Sequence, residues 1–212
     1  PGGQPMRHHP FAAVAVPPVH ADLRKPQLAR PHAHLIEQGP RIDLHAMSSH
    51  PPIVKTRPAL VLTWHTEDDT AAFAARLAQQ PALRNAFIEL RGELGAGKTS
   101  LVRHLLRALG VAGPIKSPTY AVLEPHQAPD GLRIAHFDFY RFGDPREWED
   151  AGFRDVFAAP GLKLAEWPEH AAPLLPVADL ALNLAVEPGE QRTVHLNAGT
   201  RVGEQLLQEF RA

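Results

Sequence analysis

The sequence contains no cysteine. A disulfide framework, a thiolate metal site and a cysteine nucleophile are therefore excluded, and a reducing, intracellular setting is allowed. Long apolar runs are also missing, since no stretch approaches the roughly 18 residues that read as membrane-spanning. The apolar run at 11–16 is broken by Pro17 and Pro18 too early to be a secretory signal. We therefore expect a cytoplasmic protein with no membrane partner.

An excess of positive charge is absent as well. The 212 residues carry 22 Lys and Arg against 23 Asp and Glu, and residues 59–212 are mildly acidic, with 15 against 20. Non-specific nucleic-acid binding needs a basic surface that displaces counterions from phosphates, so this balance argues against it. The length suits one globular domain with some poorly packed sequence and excludes a large multidomain enzyme.

The first 58 residues differ from the rest of the chain. They hold eleven of the 22 prolines and seven of the 13 histidines, and no apolar period is sustained there. We predict a disordered Pro- and His-rich leader at 1–58, followed by a folded domain at 59–212. A His-rich tract can bind metal, but irregular spacing favours a solvated tail. The histidines in question are His8, His9, His20, His32 and His34.

The chain begins with Pro, whereas Met47 opens a stretch that runs into the first credible strand. Two hypotheses explain this: a start site placed too far upstream of a natural start at Met47, or a fragmentary gene model. N-terminal sequencing or the intact mass of the natural protein would test them. Residues 1–46 in the mature product would contradict the first hypothesis.

From residue 59 onward, strand patterns alternate with helix patterns. We expect a short buried strand first and an antiparallel edge hairpin last, turned by Pro188 and Gly189. The alternation predicts an α/β fold with a mainly parallel sheet and helices on both faces. The predicted strands are 59–63, 86–90, 120–124, 132–138, 162–165, 179–186 and 193–196. The predicted helices are 67–79, 98–109, 144–152 and one from about residue 200.

A phosphate-binding motif stands between the second strand and the second helix. Gly92–Thr99 reads GELGAGKT and fits GxxxxGK(S/T), the P-loop. Its glycines let consecutive backbone N–H groups point at phosphate oxygens, at the positive end of the helix dipole. Lys98 should reach the β- and γ-phosphates, and the Thr99 hydroxyl should ligate Mg²⁺. The predicted nucleotide contacts are Glu93, Leu94, Gly95, Ala96, Gly97, Lys98, Thr99 and Ser100.

Acidic side chains end two later strands. Asp138 is the natural second magnesium contact; alternatively it only caps the next turn. His136, two residues earlier, is better read as a packed core histidine. Glu166 could orient the attacking water, and Trp167 could face nucleotide or a partner. Spacing alone favours the plainer reading of this pair, a strand end that leads into a helix started by proline.

Thr119 follows Ser117 and Pro118, where many P-loop proteins carry a segment that senses the γ-phosphate. Its hydroxyl could reach Mg²⁺ or the γ-phosphate. Alternatively, the Ser-Pro pair is only a turn before a strand. Local sequence leaves the two readings open.

Five segments together resemble one family, the TsaE family, formerly called YjeE. They are GELGAGKTSLVRHLL, SPTY, HFDFYR, EDAGF and AEWPE, in this order within about 80 residues. The resemblance runs from Leu60 to about Asn183. It implies a P-loop NTPase-like fold and a small ATPase required for threonylcarbamoyladenosine synthesis in tRNA. It also implies work with the TsaD and TsaB proteins, so that tRNA is met through their complex.

The resemblance also assigns residues. It implies that Thr119 is the switch-like threonine and Asp138 the Walker B acid, with ATP and Mg²⁺ as cofactors. Glu166 and Trp167 match the family's Glu-Trp pair, which favours a functional role for both. Thr70 matches a threonine near the family's N-terminus and is a candidate nucleotide contact. Two departures, Phe142 and Trp148, read as packing changes.

The expected chemistry is slow, magnesium-dependent ATP hydrolysis, with Lys98, Asp138 and Glu166 as catalytic residues and Thr99, Asp138 and Thr119 as metal contacts. No guanine-reading NKxD-like sequence follows, which favours adenine. The sequence places no arginine finger, so partners are expected to complete the site. One rival is a small-molecule kinase whose lid arginines are Arg141, Arg146 and Arg154. The other is a nucleotide-dependent switch that never hydrolyses ATP.

Overall fold

The structure is a computed structural model that describes residues 60–118, 120–189 and 191–211. The predicted leader at 1–58, with its histidines and Met47, lies outside the described residues. So does Thr119.

A seven-stranded mixed sheet forms the centre of the described domain, in the order β1-β7-β6-β2-β5-β4-β3. Strands β4, β5, β2 and β6 run parallel to their neighbours in the centre, and antiparallel strands flank them on both sides. The predicted α/β class is therefore confirmed. The strands are β1 (Leu60–Trp64), β2 (Phe87–Arg91), β3 (Leu123–Gln127), β4 (Arg133–Asp138), β5 (Leu162–Glu166), β6 (Leu180–Val186) and β7 (Arg192–Ala198).

Strand β1 corrects two expectations. It was expected to be buried, but its first four side chains alternate between half-buried and exposed, with Val61 48% exposed, and only Trp64 at its end is buried. Its antiparallel pairing with β7 makes β1 the edge of the sheet. The β6–β7 hairpin is antiparallel as predicted, but it lies one strand inside that edge. A short apolar run does not distinguish an edge strand from a central one.

Strand β3 begins and ends three residues later than the predicted strand at 120–124. The prediction ended at residue 124 because Pro125 is a turn signal in the sequence. Pro125 lies inside the strand, opposite Ala135 of β4. The other edge of β3 has no neighbour within the described sheet, so a residue that lacks a backbone N–H is tolerated there. Val122 precedes the strand with φ 63°, a left-handed conformation that ends the preceding turn.

The helices are α1 (Glu67–Ala78), α2 (Lys98–Ala108), α3 (Pro145–Asp150), α4 (Phe153–Ala158) and α5 (Arg201–Gln208), with 3₁₀ helices at Pro81–Asn85 and Pro168–His170. The helix predicted at 144–152 agrees with α3 and stops where expected. Gly152 then takes φ 66° and begins α4, which the sequence did not predict as a separate helix. The capping residues at Thr66, Asp144 and Thr200 each accept a backbone N–H bond from the first turn.

Alternate side chains of the central strands enter two different cores. On β2, Ile88 and Leu90 belong to a mainly aliphatic cluster with residues of α1, α2 and α5, whereas Phe87 belongs to a mainly aromatic cluster with residues of α3 and α4. This period of two places helices on both faces of the sheet, as predicted. Phe142 and Trp148, which depart from the family pattern, both pack in the aromatic cluster.

Asp179 ties the start of β6 to the rest of the sheet. Its Oδ2 accepts a hydrogen bond from the Phe87 N–H at 2.7 Å, and its Oδ1 accepts one from the Thr200 hydroxyl at 2.5 Å. Its backbone carbonyl lies so close to α5 that a Cβ built on Gly203 would be 1.7 Å from the oxygen. Only glycine lets the helix lie this near the strand.

We therefore expect Gly203→Ala to lower the free energy of unfolding by about 2 kcal/mol, the cost of overpacking, although alanine normally favours a helix. Urea unfolding followed by circular dichroism measures this. Gly143→Ala is the matched control, because a Cβ there meets nothing within 4 Å. It should stay within about 0.5 kcal/mol of wild type. Equal stability of the two variants would contradict the close approach.

Candidate active site

The loop from Gly92 to Gly97 joins the end of β2 to the start of α2. Gly92 has φ 131°, and a Cβ there would be 2.2 Å from the Leu184 carbonyl oxygen, so no other residue fits. Gly95 and Gly97 also have positive φ, 82° and 101°, and Gly97 is the N-cap of α2. The loop therefore turns back on the helix start, where free N–H groups favour an anion.

A cavity of about 320 Å³ opens beside this loop. The start of α2 and the carboxyl ends of β4 and β5 line it, and at these ends Asp138 and Glu166 are partners in the parallel register. Most of the predicted site residues line it. The lining residues are Leu94, Gly95, Gly97, Lys98, Thr99, Ser100, Ser117, Asp138, Tyr140, Glu166 and Trp167.

Lys98 is 4% exposed and folds back on its own loop. Its Nζ donates hydrogen bonds to the carbonyl oxygens of Gly92 at 2.6 Å and Glu93 at 2.9 Å. The same ammonium lies 3.8 Å from the centroid of the Trp167 ring, within the range of a cation–π contact. The side chain is thus held at the cavity by contacts on several sides.

Burial lowers the pKa of Lys98 below its ordinary value, whereas the carboxylates of Glu166, Glu169, Asp138 and Glu93 act in the opposite direction. Burial removes water from around the ammonium, and this disfavours its charged form. A further negative group in the cavity would favour the charged form again. The electrostatic setting of Lys98 therefore suits an anionic ligand.

Asp138 is 3% exposed. Its Oδ2 accepts a hydrogen bond from the Ser117 hydroxyl at 2.5 Å, and its Oδ1 accepts one from the Tyr140 N–H at 3.0 Å. The second bond is the turn cap that the plainer reading of Asp138 required. The residue nevertheless also lines the cavity, so capping and a position in the site are not alternatives here.

Glu166 is 2% exposed and bridges two elements. Its Oε2 accepts a hydrogen bond from the Thr99 hydroxyl of α2 at 2.8 Å. Its Oε1 lies 2.9 Å from Nε2 of His136 on β4. His136 is fully buried, as expected of a core histidine, but it is also bonded to a residue of the site.

Trp167 follows directly after β5 in a left-handed conformation, with φ 54° and ψ 47°. This conformation is uncommon for a bulky residue and marks local strain. It turns the ring toward the cavity, where the ring centroid is 5.0 Å from that of Tyr140. The plainer reading of a strand end before a proline-started helix describes the backbone correctly, since a 3₁₀ helix begins at Pro168. The ring still reaches the site.

Sequence reasoning did not single out Tyr140 and Ser117 as site residues. Tyr140 follows Asp138 by two residues in the HFDFYR segment, and Ser117 stands in the SPTY segment. Both segments contribute to the family resemblance, which could have indicated these two residues. Of the residues that were predicted, Thr70 is buried in α1 and does not line the cavity. The roles of all these residues remain predictions.

Two loop residues contact the site through their backbone. The Glu93 side chain is exposed, and its carbonyl accepts the bond from Lys98. Ala96 is buried, and its carbonyl accepts a bond from Nε of Arg192 on β7 at 3.2 Å. Arg192 thus supports the loop from a neighbouring strand.

Magnesium suits this donor set. Across the residues that the structure describes, no group of three or more His, Asp or Glu side chains could form a complete metal cage. Mg²⁺ seldom needs one, because it keeps several waters and binds one or two protein oxygens together with phosphates. The Thr99 hydroxyl and the Asp138 carboxylate line the same cavity and offer such oxygens.

No helix within the described ranges is long and apolar enough to cross a membrane.

The arginines that a kinase lid would use are absent from the cavity. Arg141, Arg146 and Arg154 are not among the described residues that line it. The Arg141 guanidinium instead lies 4.6 Å from the centroid of the Tyr120 ring.

The family model of the threonylcarbamoyl adenosine biosynthesis protein TsaE matches residues 64–194. The chain belongs to the TsaE family. It is similar to the tRNA threonylcarbamoyladenosine biosynthesis protein TsaE of Haemophilus influenzae, with 38% identity over 138 residues, which cover 65% of this chain and 86% of that protein. The protein of that name from Bacillus subtilis is 30% identical over 152 residues, which cover 70% of this chain and 93% of the relative.

The fold agrees with this membership. The crystal structure of Bacillus subtilis YdiB matches with a TM-score of 0.57 at 24% identity and covers 72% of this chain and 93% of that one. The P-loop NTPase-like architecture expected of a TsaE-family chain is therefore confirmed.

In this TsaE-family chain we expect Arg192→Met to loosen the loop from Gly92 to Gly97, here called the phosphate loop. Loss of one hydrogen bond worth about 1 kcal/mol should speed amide exchange in the loop about fivefold. Hydrogen–deuterium exchange of a peptide that covers residues 92–97 measures this. Arg107→Met, which removes an exposed arginine of α2, is the control and should leave the rate unchanged. An unchanged rate in Arg192→Met would show that β7 does not support the loop.

Proposed function

We propose that this chain binds ATP with Mg²⁺ and hydrolyses it slowly as the ATP-consuming accessory of threonylcarbamoyladenosine synthesis in tRNA, acting with TsaD and TsaB. Membership of the TsaE family supports the pathway. The observation that carries the ATPase is that residues of the phosphate loop line one cavity together with Lys98, Thr99, Asp138 and Glu166.

The phosphate loop and Lys98 would bind the triphosphate. The N–H groups at the start of α2 would point at its oxygens, and the Lys98 ammonium would neutralise charge that develops on the transferred phosphoryl group. Thr99 and Asp138 would hold Mg²⁺, which would supply positive charge to neutralise the phosphate oxygens. Beside them, the Trp167 and Tyr140 rings offer an aromatic surface to the nucleotide.

Water would be the acceptor. A buried carboxylate is a hydrogen-bond acceptor, and Glu166 lines the cavity with one oxygen on the Thr99 hydroxyl. When the Thr99 hydroxyl turns away from Glu166, that oxygen would accept a hydrogen from water and orient it toward the γ-phosphate. Glu166 therefore acts by positioning and by polarising the nucleophile.

Partners would supply what the cavity lacks. No arginine is found among its lining residues in the described part of the chain. An arginine finger typically accelerates hydrolysis by about 10³–10⁵-fold. We therefore expect slow turnover by the chain alone and faster turnover in the complex with TsaD and TsaB, which would also bring the tRNA.

Lys98→Ala should weaken ATP binding at least about tenfold and abolish measurable hydrolysis, because it removes the cation of the phosphate site. Calorimetry with Mg²⁺ and ATP, an ATPase assay and a pull-down with TsaB and TsaD measure the three parts of the proposal. Lys116→Ala removes an exposed lysine and is the matched control. Wild type that gives no binding heat would overturn the proposal. Tens of turnovers per second without partners would contradict completion by the complex.

Glu166→Gln should retain ATP binding within about threefold and lose hydrolysis by about 10²-fold, because an amide of the same shape polarises water poorly. Equilibrium binding and single-turnover hydrolysis separate the two effects. Glu169→Gln, three residues later on the 3₁₀ helix, is the control. If a Glu166→Ala chain bound ATP and still supported tRNA modification in cells, the nucleotide-dependent switch would be the better description.

A further inference from the structure

A buried hydrogen-bonded chain extends from the cavity into the sheet. Thr99 donates its hydroxyl hydrogen to Glu166, and Glu166 lies 2.9 Å from Nε2 of His136. Exposure is 2% for Glu166 and 0% for His136. The two residues stand on the neighbouring parallel strands β5 and β4. His136 itself does not line the cavity.

The chemistry of the pair decides which atom carries the hydrogen. An ionised carboxylate only accepts, and Oε2 of Glu166 already accepts from Thr99. With Glu166 ionised, Oε1 can also only accept, so the imidazole presents an N–H at Nε2 and donates it to Oε1. This leaves Nδ1 as the other ring nitrogen, and it is buried with no hydrogen-bond partner in the described structure.

An unpartnered buried nitrogen is costly, by about 1–3 kcal/mol. An aliphatic side chain would fill the same interior position of β4 without that cost. A polar group that is kept in an apolar place despite such a cost calls for a functional explanation. Here the explanation lies on the other side of the ring, at Glu166.

The bond to His136 restricts a loose torsion. The terminal torsion of a glutamate is broad, so an unsupported carboxylate turns freely about its last bond. With Oε1 held by His136, the carboxylate plane is fixed and Oε2 faces Thr99 and the cavity. A water-orienting group needs this kind of support, because small errors in its position reduce the rate steeply.

We propose that His136 is a positioning residue of the ATPase site: its Nε2–H holds Glu166 in the orientation from which Oε2 directs water. This inference rests on the proposed function. It assigns His136 no contact with nucleotide, metal or water. Its effect should therefore fall on the rate of hydrolysis and not on ATP affinity.

The first experiment replaces the ring by two side chains of similar length. His136→Gln can keep an N–H donor toward Glu166, whereas His136→Met cannot. In the complex with TsaB and TsaD, we expect Met to lower kcat at least tenfold with KM within threefold of wild type. Gln should restore kcat to within threefold. A kcat that falls equally in both variants would overturn the proposal, because His136 would then act through packing alone.

His126→Met is the matched control. The His126 ring lies on β3 with its centroid 6.4 Å from that of His136, and burial lowers its pKa. His126 does not line the cavity. We expect its kcat to remain within twofold of wild type. A loss of kcat as large as that of His136→Met would point to the packing of this histidine pair and overturn the proposal.

The second experiment records spectra of the chain without nucleotide and sets them beside the ATPase activity of wild type. Long-range ¹H–¹⁵N spectra of the wild-type chain should show His136 with its hydrogen on Nε2 and a bare Nδ1, and Glu166→Gln should shift the Nε2 resonance. A hydrogen on Nδ1 alone, in a chain that hydrolyses ATP normally, would overturn the positioning role and leave the proposed function intact. The expected spectrum with no hydrolysis by wild type in the complex would overturn the proposed function and with it the role of His136.

Discussion

The parallel register of β4 and β5 is the constraint on which the site depends. It sets Asp138 beside Glu166 at the carboxyl ends of these two strands, in the cavity that the start of α2 also lines. Two buried carboxylates so close together would repel one another without a cation nearby. The Lys98 ammonium supplies that cation, and the hydroxyls of Thr99 and Ser117 donate to the two acids. Sheet geometry, charge balance and hydrogen bonding thus depend on one another.

Local motifs made much of this site predictable. The spacing of Gly92, Gly97, Lys98 and Thr99 specifies a loop and a helix start whose geometry is set by a few backbone angles, so sequence alone indicates it. The acid at position 138 was predictable because open sheets gather ligands at the carboxyl ends of their strands. In each case the information lies within a few consecutive residues.

What escaped prediction depends on contacts between distant segments. The bond between His136 and Glu166 joins two strands whose pairing cannot be predicted from local sequence. His136 was therefore predicted only as a core residue. Strand β1 is the edge of the sheet because it pairs with the free side of β7, whose other side already pairs with β6. Pro125 was misread for a related reason, since only its place on an edge strand makes a proline acceptable. Topology, more than propensity, determined these outcomes.

The approach of Gly92 to the Leu184 carbonyl has a consequence for how this fold can vary. At Gly92 the phosphate loop lies against the main chain of β6 and not against the Leu184 side chain, so many apolar residues could replace Leu184 without disturbing this contact. An insertion or deletion of one residue within β6 would move that oxygen along the strand. Among natural variants, the length of β6 should therefore be conserved more strictly than the identity of its residues.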